Sequence, residues 1–433
     1  MDFKIIQDTI FGSMRFERPI LDLMETLEIQ RLNGIKQLGL TYLVFPGANH
    51  TRIEHSLGCC HLAQRIGEVL HLPEDERLSV SAAALLHDIG HGPFSHTLEH
   101  YISELSGLDH MLLTKKAIRG EEEMIVGSER ETFNDIPTVP EVLERHGLDS
   151  KQVSDIMMGS RESGFSRLTD FGGQKASHER RYLSQMIHGP IDVDQIDYLL
   201  RDSHYTGVAH GTIDADRLIQ TIQIHNNDLV IDKKGMSSVE GMLVARALMY
   251  SSVYFHKTVR VAELMLARAV ERAAEPNYDS IQRMVDSELM SWLLSKGGLQ
   301  HDMAMRIKYR KLFKKAFVLE EKDLDGAKRE ALSRLTDFKR RREKEDSIAD
   351  RAGARRGEVI LDMPRPELLT TEPRMSQLDV RILDGTKARP LKRMSGLSKT
   401  LRSREVSDWV LLVSCEYKHK EAVGKYAPKV IFG

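Results

Sequence analysis

Apolar residues recur along most of this chain at the three-and-four spacing of helices that bury one face. A short strand, Phe3-Lys4-Ile5-Ile6, and a turn at Phe11-Gly12-Ser13 open it. Leu21, Met24, Leu27, Leu32 and Ile35 predict a helix over 20–36. After the loop Phe45-Pro46-Gly47-Ala48-Asn49-His50, Thr51 is placed to cap a helix that carries Ile53, Leu57, Cys60, Leu62, Ile66, Val69 and Leu70. Further helices are expected over 76–86, 142–147, 153–159, 182–187, 191–203, 214–222 and 239–274. One β excursion interrupts them: Leu229-Val230-Ile231-Asp232, followed by a Lys233-Lys234-Gly235 turn.

The pattern changes twice in the last third. Residues 306–357 are densely charged, with the run Lys339-Arg340-Arg341-Arg342-Glu343-Lys344-Glu345-Asp346, and read as a solvated helical connector. From Glu358 the character is β, in Val359-Ile360-Leu361-Asp362, Val380-Arg381-Ile382-Leu383 and Trp409-Val410-Leu411-Leu412-Val413, with helical pieces over 397–404 and 418–426. The expected architecture is mainly α: a helical unit over 1–305, the connector over 306–357, and a small C-terminal α+β domain over 358–433.

Composition narrows the class without naming a function. The 433 residues are 41% hydrophobic and 29% charged with a net charge of −2, which describes a globular protein of two or three domains. The charge is uneven, since 306–357 holds 18 Lys/Arg against 10 Asp/Glu, but the interleaved acids argue against a nucleic-acid face. No apolar run approaches the ~20 residues of a membrane span, so no membrane partner is expected. The three cysteines, Cys59, Cys60 and Cys415, make no obvious disulfide. Together with an N-terminus that lacks a secretory signal, they point to the cytoplasm.

The chemistry concentrates at His87-Asp88. The pair closes the apolar run Val80-Ser81-Ala82-Ala83-Ala84-Leu85-Leu86 and precedes Ile89-Gly90-His91-Gly92-Pro93-Phe94-Ser95-His96. Burying an imidazole beside a carboxylate is costly unless something pairs with both. A divalent cation would do so, because neutral imidazole nitrogen and carboxylate oxygen are ligands for such ions. Two other stretches strengthen the reading. His55 sits near the start of its helix in Arg52-Ile53-Glu54-His55-Ser56. The helix expected over 191–203 carries Asp194, Asp197 and Tyr198 on one face, with Asp202 one turn beyond Tyr198.

In order, the motifs Arg-Ile-Glu-His-Ser, Leu-Leu-His-Asp-Ile-Gly-His-Gly-Pro-Phe-Ser-His, Asp-Val-Asp-Gln-Ile-Asp-Tyr-Leu-Leu-Arg-Asp-Ser and Tyr-Phe-His-Lys resemble the HD-domain phosphohydrolase superfamily. Within it the chain is most similar to the deoxynucleoside triphosphate triphosphohydrolase branch, which holds the eukaryotic SAM-and-HD-domain dNTPase and the bacterial dGTP triphosphohydrolases. The resemblance implies four metal ligands, His55, His87, Asp88 and Asp194, around a divalent ion (Mn, Fe, Mg, Ni or Zn). It assigns His91 and His96 to phosphate contact or acid/base work, with a hydrogen bond to a metal ligand as the alternative for His96. His110 is the counterpart of a general-acid histidine, although Met111 stands where a glutamate is expected.

For the substrate, the resemblance implies phosphate contact by Arg52, sugar contact by Gln37 and Leu38, and a hold on the 3′-hydroxyl by Tyr198 and Asp202. Arg246 and Tyr254 match residues on the phosphate and the base edge. Gln195 replaces a phosphate-binding lysine and Phe255 a base-contacting glutamine; Tyr254 and Phe255 read equally well as core aromatics. The implied activity converts a dNTP and water to deoxynucleoside and triphosphate, in a homo-oligomer with a further, activating nucleotide. Two rivals stay open: an HD-fold phosphohydrolase acting on another nucleotide or phosphate ester, and a non-catalytic nucleotide sensor.

Overall fold

A computed structural model describes residues 3–94, 98, 109–159, 180–273, 278–363, 380–402 and 409–433. It is mainly helical, with an N-terminal hairpin of β1 (Phe3–Asp8) and β2 (Gly12–Glu17) and further small sheets towards the C-terminus, as the apolar spacing predicts. The central pair is Arg52–Val69 against Glu74–Leu86. The first begins where expected because Thr51 and Glu54 form a capping box, in which the Glu54 carboxylate accepts from the Thr51 N–H at 2.6 Å. The second buries Val80 to Leu86, and its Ala82-Ala83-Ala84 run lets neighbouring helices approach closely. The helix Val193–Thr206 crosses Arg52–Val69; Asp192 caps it, accepting from the Gln195 N–H at 2.8 Å, and Gly207 ends it at a φ of +71°.

Three sequence expectations are corrected in ways that shape the site. The helix expected over 20–36 is broken into Ile20–Met24, Leu27–Gln30 and a 3₁₀ turn Arg31–Gly34. Thr26 is extended there, and its hydroxyl donates to the Leu23 carbonyl at 2.7 Å, a local bond that competes with helix. Residues 35–37 then run beside 50–52, with the Arg52 N–H on the Ile35 carbonyl at 2.9 Å and the Gln37 N–H on the His50 carbonyl at 3.0 Å. The helix expected over 239–274 is also interrupted. Met236–Met249 passes into a π-helical turn, Tyr250–Tyr254, closed by the Phe255 N–H on the Tyr250 carbonyl at 2.9 Å, before Lys257–Glu271 resumes. In the hairpin of β3 (Ile222–His225) and β4 (Asp228–Asp232), the turn is Asn226-Asn227, both at positive φ, not Lys233-Lys234-Gly235. The latter is a 3₁₀ turn leading to the next helix.

The C-terminal third is α+β, but its strands join two sheets. β7 (Arg381–Asp384) adds in parallel to β4 and pairs with β8 (Lys387–Pro390), a strand the sequence pattern did not reveal. The other sheet has the order β5-β9-β6, with β9 (Leu411–Cys415) central and buried between β5 (Lys314–Leu319) and β6 (Val359–Asp362). β5 lies inside the stretch expected to be one charged helix. That stretch instead comprises the end of Gly298–Lys308, β5, and the helices Gly326–Arg334 and Phe338–Ala352. Lys314 and Lys315 before the short apolar run of β5 and Glu320 and Glu321 after it mask it in a charge count, while Phe338–Ala352 packs against Lys420–Phe432. Among the described residues, no helix is long and apolar enough to cross a membrane.

Candidate metal centre

The site forms where the start of Arg52–Val69, the end of Glu74–Leu86 and the start of Val193–Thr206 converge. His55 Nε2 lies 3.1 Å from Asp194 Oδ1, and its Nδ1 lies 2.7 Å from Asp197 Oδ2. His87 Nδ1 sits 2.7 Å from the Ala84 carbonyl, which accepts only from a protonated nitrogen. That contact leaves the Nε2 lone pair of His87 facing the site, buried and without a hydrogen-bond partner among the described residues. Donor atoms of His55, Cys59, His87 and Asp194 all lie within 4.8 Å of one another. Asp88 adjoins this set, its Oδ1 3.3 Å from His87 Nε2 and 3.2 Å from His91 Nε2, and its Oδ2 paired with Arg52. An unpartnered imidazole nitrogen facing a second imidazole and two carboxylates is what a divalent cation requires, so these residues fit the ion that the fold implies.

The electrostatics describe a centre whose clustered carboxylates call for positive charge. Burial opposes charge on Asp88, yet Arg52, His87 and His91 hold its carboxyl well below the usual carboxylate range. Burial likewise opposes charge on Asp194, but His55 and His87 hold it down at about 2. His55 is pushed well above its ordinary range despite burial, by Cys59, Asp194 and Asp197. His91 goes the other way: burial, with Arg52 and His110 close by, keeps it neutral. Asp194 leaves 32% of its side chain exposed while the His55 and Asp88 side chains are almost wholly buried, so the site opens to solvent on the Asp194 side.

Of the other expected residues, His110 stacks its ring on His91, centroids 4.0 Å apart at 15°. Its neighbour Met111 turns into the core, so residue 111 does not orient the histidine; Asp109 Oδ1 lies 3.5 Å from His110 Nδ1. His96 lies outside the described residues. Asp202 is buried, with Oδ1 2.8 Å from His50 Nε2 and Oδ2 accepting from the Tyr254 hydroxyl at 2.6 Å. The π-helical turn carries Tyr254 to that position, and Tyr198 meets Tyr254 edge-on at 6.2 Å. Gln37 and Leu38 are buried beside the strand-like contact with His50, and Gln37 Oε1 has no partner. Arg246 donates to Gln195 Oε1 at 2.9 Å, and Gln195 in turn donates to Asp192 Oδ2 at 2.9 Å. Phe255 packs against a second apolar cluster behind the site, the packing alternative given for it above.

Sequence reasoning missed a shell that holds these groups. Arg31 donates to the carbonyls of His91, Gln282, Arg283 and Met284. Gln282 donates to the Gly90 carbonyl at 3.0 Å, and Asp286 accepts from the Phe94 N–H at 2.8 Å and the Lys36 N–H at 3.0 Å. The loop 90–94 is thus pinned by residues about sixty before it and one hundred and ninety after it. Asp197 joins His55 to Arg201, whose Nη1 reaches Asp8 Oδ2 at 2.8 Å. Gly58 makes room for this: a Cβ there would collide with Asp197 Oδ1 and crowd Arg201. Asp197 shares a helix face with Asp194, a signal the spacing carries; the Arg31 clamp leaves none.

Comparison with known proteins matches the same region. The HD domain model covers residues 52–202, and the HD associated region model covers 213–432. An uncharacterized protein of Methanocaldococcus jannaschii is 32% identical over 97% of this chain and 80% of its own length. A deoxynucleoside triphosphate triphosphohydrolase SAMHD1 homolog of Dictyostelium discoideum is 32% identical over 62% of this chain, but this covers only 49% of the homolog. The crystal structure of a phosphohydrolase from Bacteroides thetaiotaomicron superimposes with a TM-score of 0.67 at 25% identity, covering 96% of this chain and 99% of that one. With its paired histidines and carboxylates all inside the matched HD region, and the HD associated region following it to residue 432, this chain belongs to the HD-domain family.

Proposed function

We propose that the protein is a metal-dependent phosphohydrolase that cleaves deoxynucleoside triphosphates to deoxynucleoside and inorganic triphosphate. The observation that carries the reading is the buried, unpartnered Nε2 of His87 amid His55, Asp88 and Asp194, with Asp202 and its partner Tyr254 set by the same helix that carries Asp194. His55, His87, Asp88 and Asp194 would hold the ion. When bound, a divalent cation there supplies Lewis-acid polarisation of a phosphoryl oxygen and acidifies the attacking water. Arg52, rigidly paired with Asp88, offers a guanidinium to developing phosphate charge. Neutral His91 and its stacking partner His110 are placed to move the proton that the leaving group needs. Asp202, oriented by His50 and Tyr254, reads the sugar 3′-hydroxyl, with Gln37, Leu38 and Tyr198 around the ring.

A second reading has its own support. Gln195, in place of the expected lysine, is engaged with Arg246 and Asp192, and Phe255 is packed in the core. Both reduce the positive and polar contacts available to a triphosphate and base, and favour another nucleotide or phosphate ester in the same centre. Incubation with each of the four dNTPs and Mn²⁺ or Mg²⁺, with product analysis, separates the two. Triphosphate release from at least one dNTP is expected; release only of monophosphate from other nucleotides would replace the main reading with the second. Sedimentation with and without added nucleotide tests the homo-oligomer and the activating nucleotide that the family resemblance implies.

A further inference from the structure

A cleft of about 850 Å³ that shares no residue with the metal centre is lined by the helix Gly298–Lys308 and by residues that precede β6 and follow β9. Arg306 meets Glu416 there at 2.8 Å, and Arg355 meets Asp302 at 2.7 Å and Glu358 at 3.3 Å. The carboxylates fix the two guanidinium groups, each of which carries five N–H donors, more than these pairs use. Lys311 also lines the cleft, exposed and without an ion pair among the described residues. Tyr309 lines it with 59% of its surface exposed. The backbone between these two side chains is strained. Arg310 has a φ of +54°, in the left-handed region that favours glycine. The helix ends there in a Schellman turn, with the Lys311 N–H on the Arg306 carbonyl at 2.7 Å and the Arg310 N–H on the Ile307 carbonyl at 3.0 Å. Glycine would make this turn without strain. What arginine adds is its side chain, whose Nε donates to the Leu43 carbonyl at 2.6 Å. Leu43 ends the 3₁₀ turn Gly39–Leu43, which directly follows Gln37 and Leu38. Leu40 and Leu43 also share one apolar cluster with Met303, Ala304 and Ile307. One face of the helix thus lines the cleft, and another carries the turn beside the substrate pocket.

We propose that this cleft binds a nucleoside monophosphate, and that its occupancy is transmitted to the substrate pocket through Arg310 and Leu43. An exposed aromatic face beside cations is the pairing that takes a base and a phosphate. The volume suits a ligand of that size. The charge of the walls decides between phosphate classes. Four cations, Arg306, Lys311, Arg355 and Lys418, stand against three carboxylates, Asp302, Glu358 and Glu416. A net of one positive charge matches a single phosphate group and not a polyphosphate. The ring stacks on Tyr309, and the phosphate meets Lys311 and the remaining donors of Arg306 and Arg355. Binding in the cleft is independent of the proposed reaction; the regulation rests on the substrate pocket assigned above.

The test is titration calorimetry of the full chain with the four ribonucleoside monophosphates and with inorganic phosphate. At least one monophosphate is expected to bind, and more tightly than phosphate alone. Lys311→Glu should weaken it about tenfold or more by reversing the charge that meets the phosphate. Tyr309→Ala should weaken it about tenfold by removing the stacking face, and leave phosphate binding unchanged. Binding by none of the four, or equal binding by the native protein and both variants, overturns the cleft site. Phosphate alone binding as tightly as the nucleotide overturns the part given to Tyr309. Amide hydrogen exchange reads the coupling without activity. The bound nucleotide is expected to slow exchange over residues 39–43 in the native protein but not in Lys311→Glu. Arg310→Gly keeps the turn and should bind as the native protein does, with the protection of 39–43 lost. Protection that survives in Arg310→Gly overturns the relay, and protection that survives in Lys311→Glu places the nucleotide in the substrate pocket instead. Absence of turnover of every dNTP, with the monophosphate still bound, sinks the reaction proposed above and leaves the cleft standing.

Discussion

Arg31 donates to the carbonyl oxygen of His91 at 2.9 Å, so a guanidinium from the start of the chain fixes the backbone of a candidate catalytic histidine. The same side chain satisfies three further carbonyls, of Gln282, Arg283 and Met284, at 2.8–3.0 Å. Burial pushes the arginine down to about 10, which still leaves it charged at neutral pH. Lysine carries one compact ammonium and cannot span four acceptors. Arg31→Lys therefore strands buried carbonyls, each worth about 1–3 kcal/mol, and is expected to lower stability by about 3 kcal/mol. Urea denaturation measures this, and a loss under about 1 kcal/mol would mean that water replaces the clamp.

In the proposed centre, Asp197 would act on the ion through His55. Its Oδ2 lies 2.7 Å from Nδ1, fixing which imidazole nitrogen faces the site, while Arg201 holds its other side. Outer partners of this kind typically carry about 10–100-fold in metal affinity. Asp197→Asn is expected to weaken metal binding by that order in a titration against a competing chelator. Gly58→Ala, whose new Cβ would displace the Asp197 carboxylate, shifts affinity in the same direction. Unchanged affinity in a folded Asp197→Asn protein would remove Asp197 from the centre.

The sequence carried the metal centre further than it carried the pocket around it, for a physical reason. His55, His87, Asp88 and Asp194 are polar residues at the ends of apolar helices, where burial without a partner is costly enough to be noticed. The Thr51 cap is equally local and was equally legible, whereas the Asp192 cap falls inside the helix expected over 191–203. What escaped depends on contacts between distant segments. The interruption at Thr26 turns on one hydroxyl bond, and the π-helical turn before Phe255 leaves no mark in apolar spacing. β5 hides between the lysines that open it and the glutamates that follow it, because a strand needs only six residues, and its partner β9 lies about a hundred residues downstream. The Arg31 and Asp286 clamps consist of side chains bonded to backbone, which any sequence supplies.

Tyr254 and Asp202 give a prediction about substrate rather than ion. The Asp202 carboxylate takes one bond from Tyr254 at 2.6 Å and faces His50 on the other side. Tyr254→Phe keeps the ring and removes the hydroxyl, which frees one carboxylate oxygen to swing. A hydrogen bond to a charged group contributes about 1.5–3 kcal/mol. If Asp202 reads the sugar, KM for the deoxynucleotide should rise about tenfold or more, with kcat changed far less. A fall in kcat alone, with KM unmoved, would place the pair in the chemical step instead.

Glu345 ties the C-terminal region to the helical core and makes that attachment acid-sensitive. Its carboxylate pairs with Arg268 and with Arg342, the latter at 2.7 Å, and accepts from the Leu361 N–H of β6 at 2.8 Å. Glu271 faces the same two arginines at 3.0 and 2.8 Å, so the cluster is balanced in charge. Burial opposes ionisation of Glu345, but Arg268 and Arg342 outweigh it and hold the carboxyl below its ordinary range. A carboxyl depressed in the folded state stabilises above its unfolded pKa of about 4.3, and the contribution fades as pH falls through the folded value. Glu345→Gln should therefore cost about 3–5 kcal/mol at pH 7, because it leaves two buried guanidinium groups short of an anion. The gap between native protein and variant should close as denaturation is repeated at successively lower pH. A gap that stays constant into strong acid would show that the glutamate contributes through packing and not through its charge.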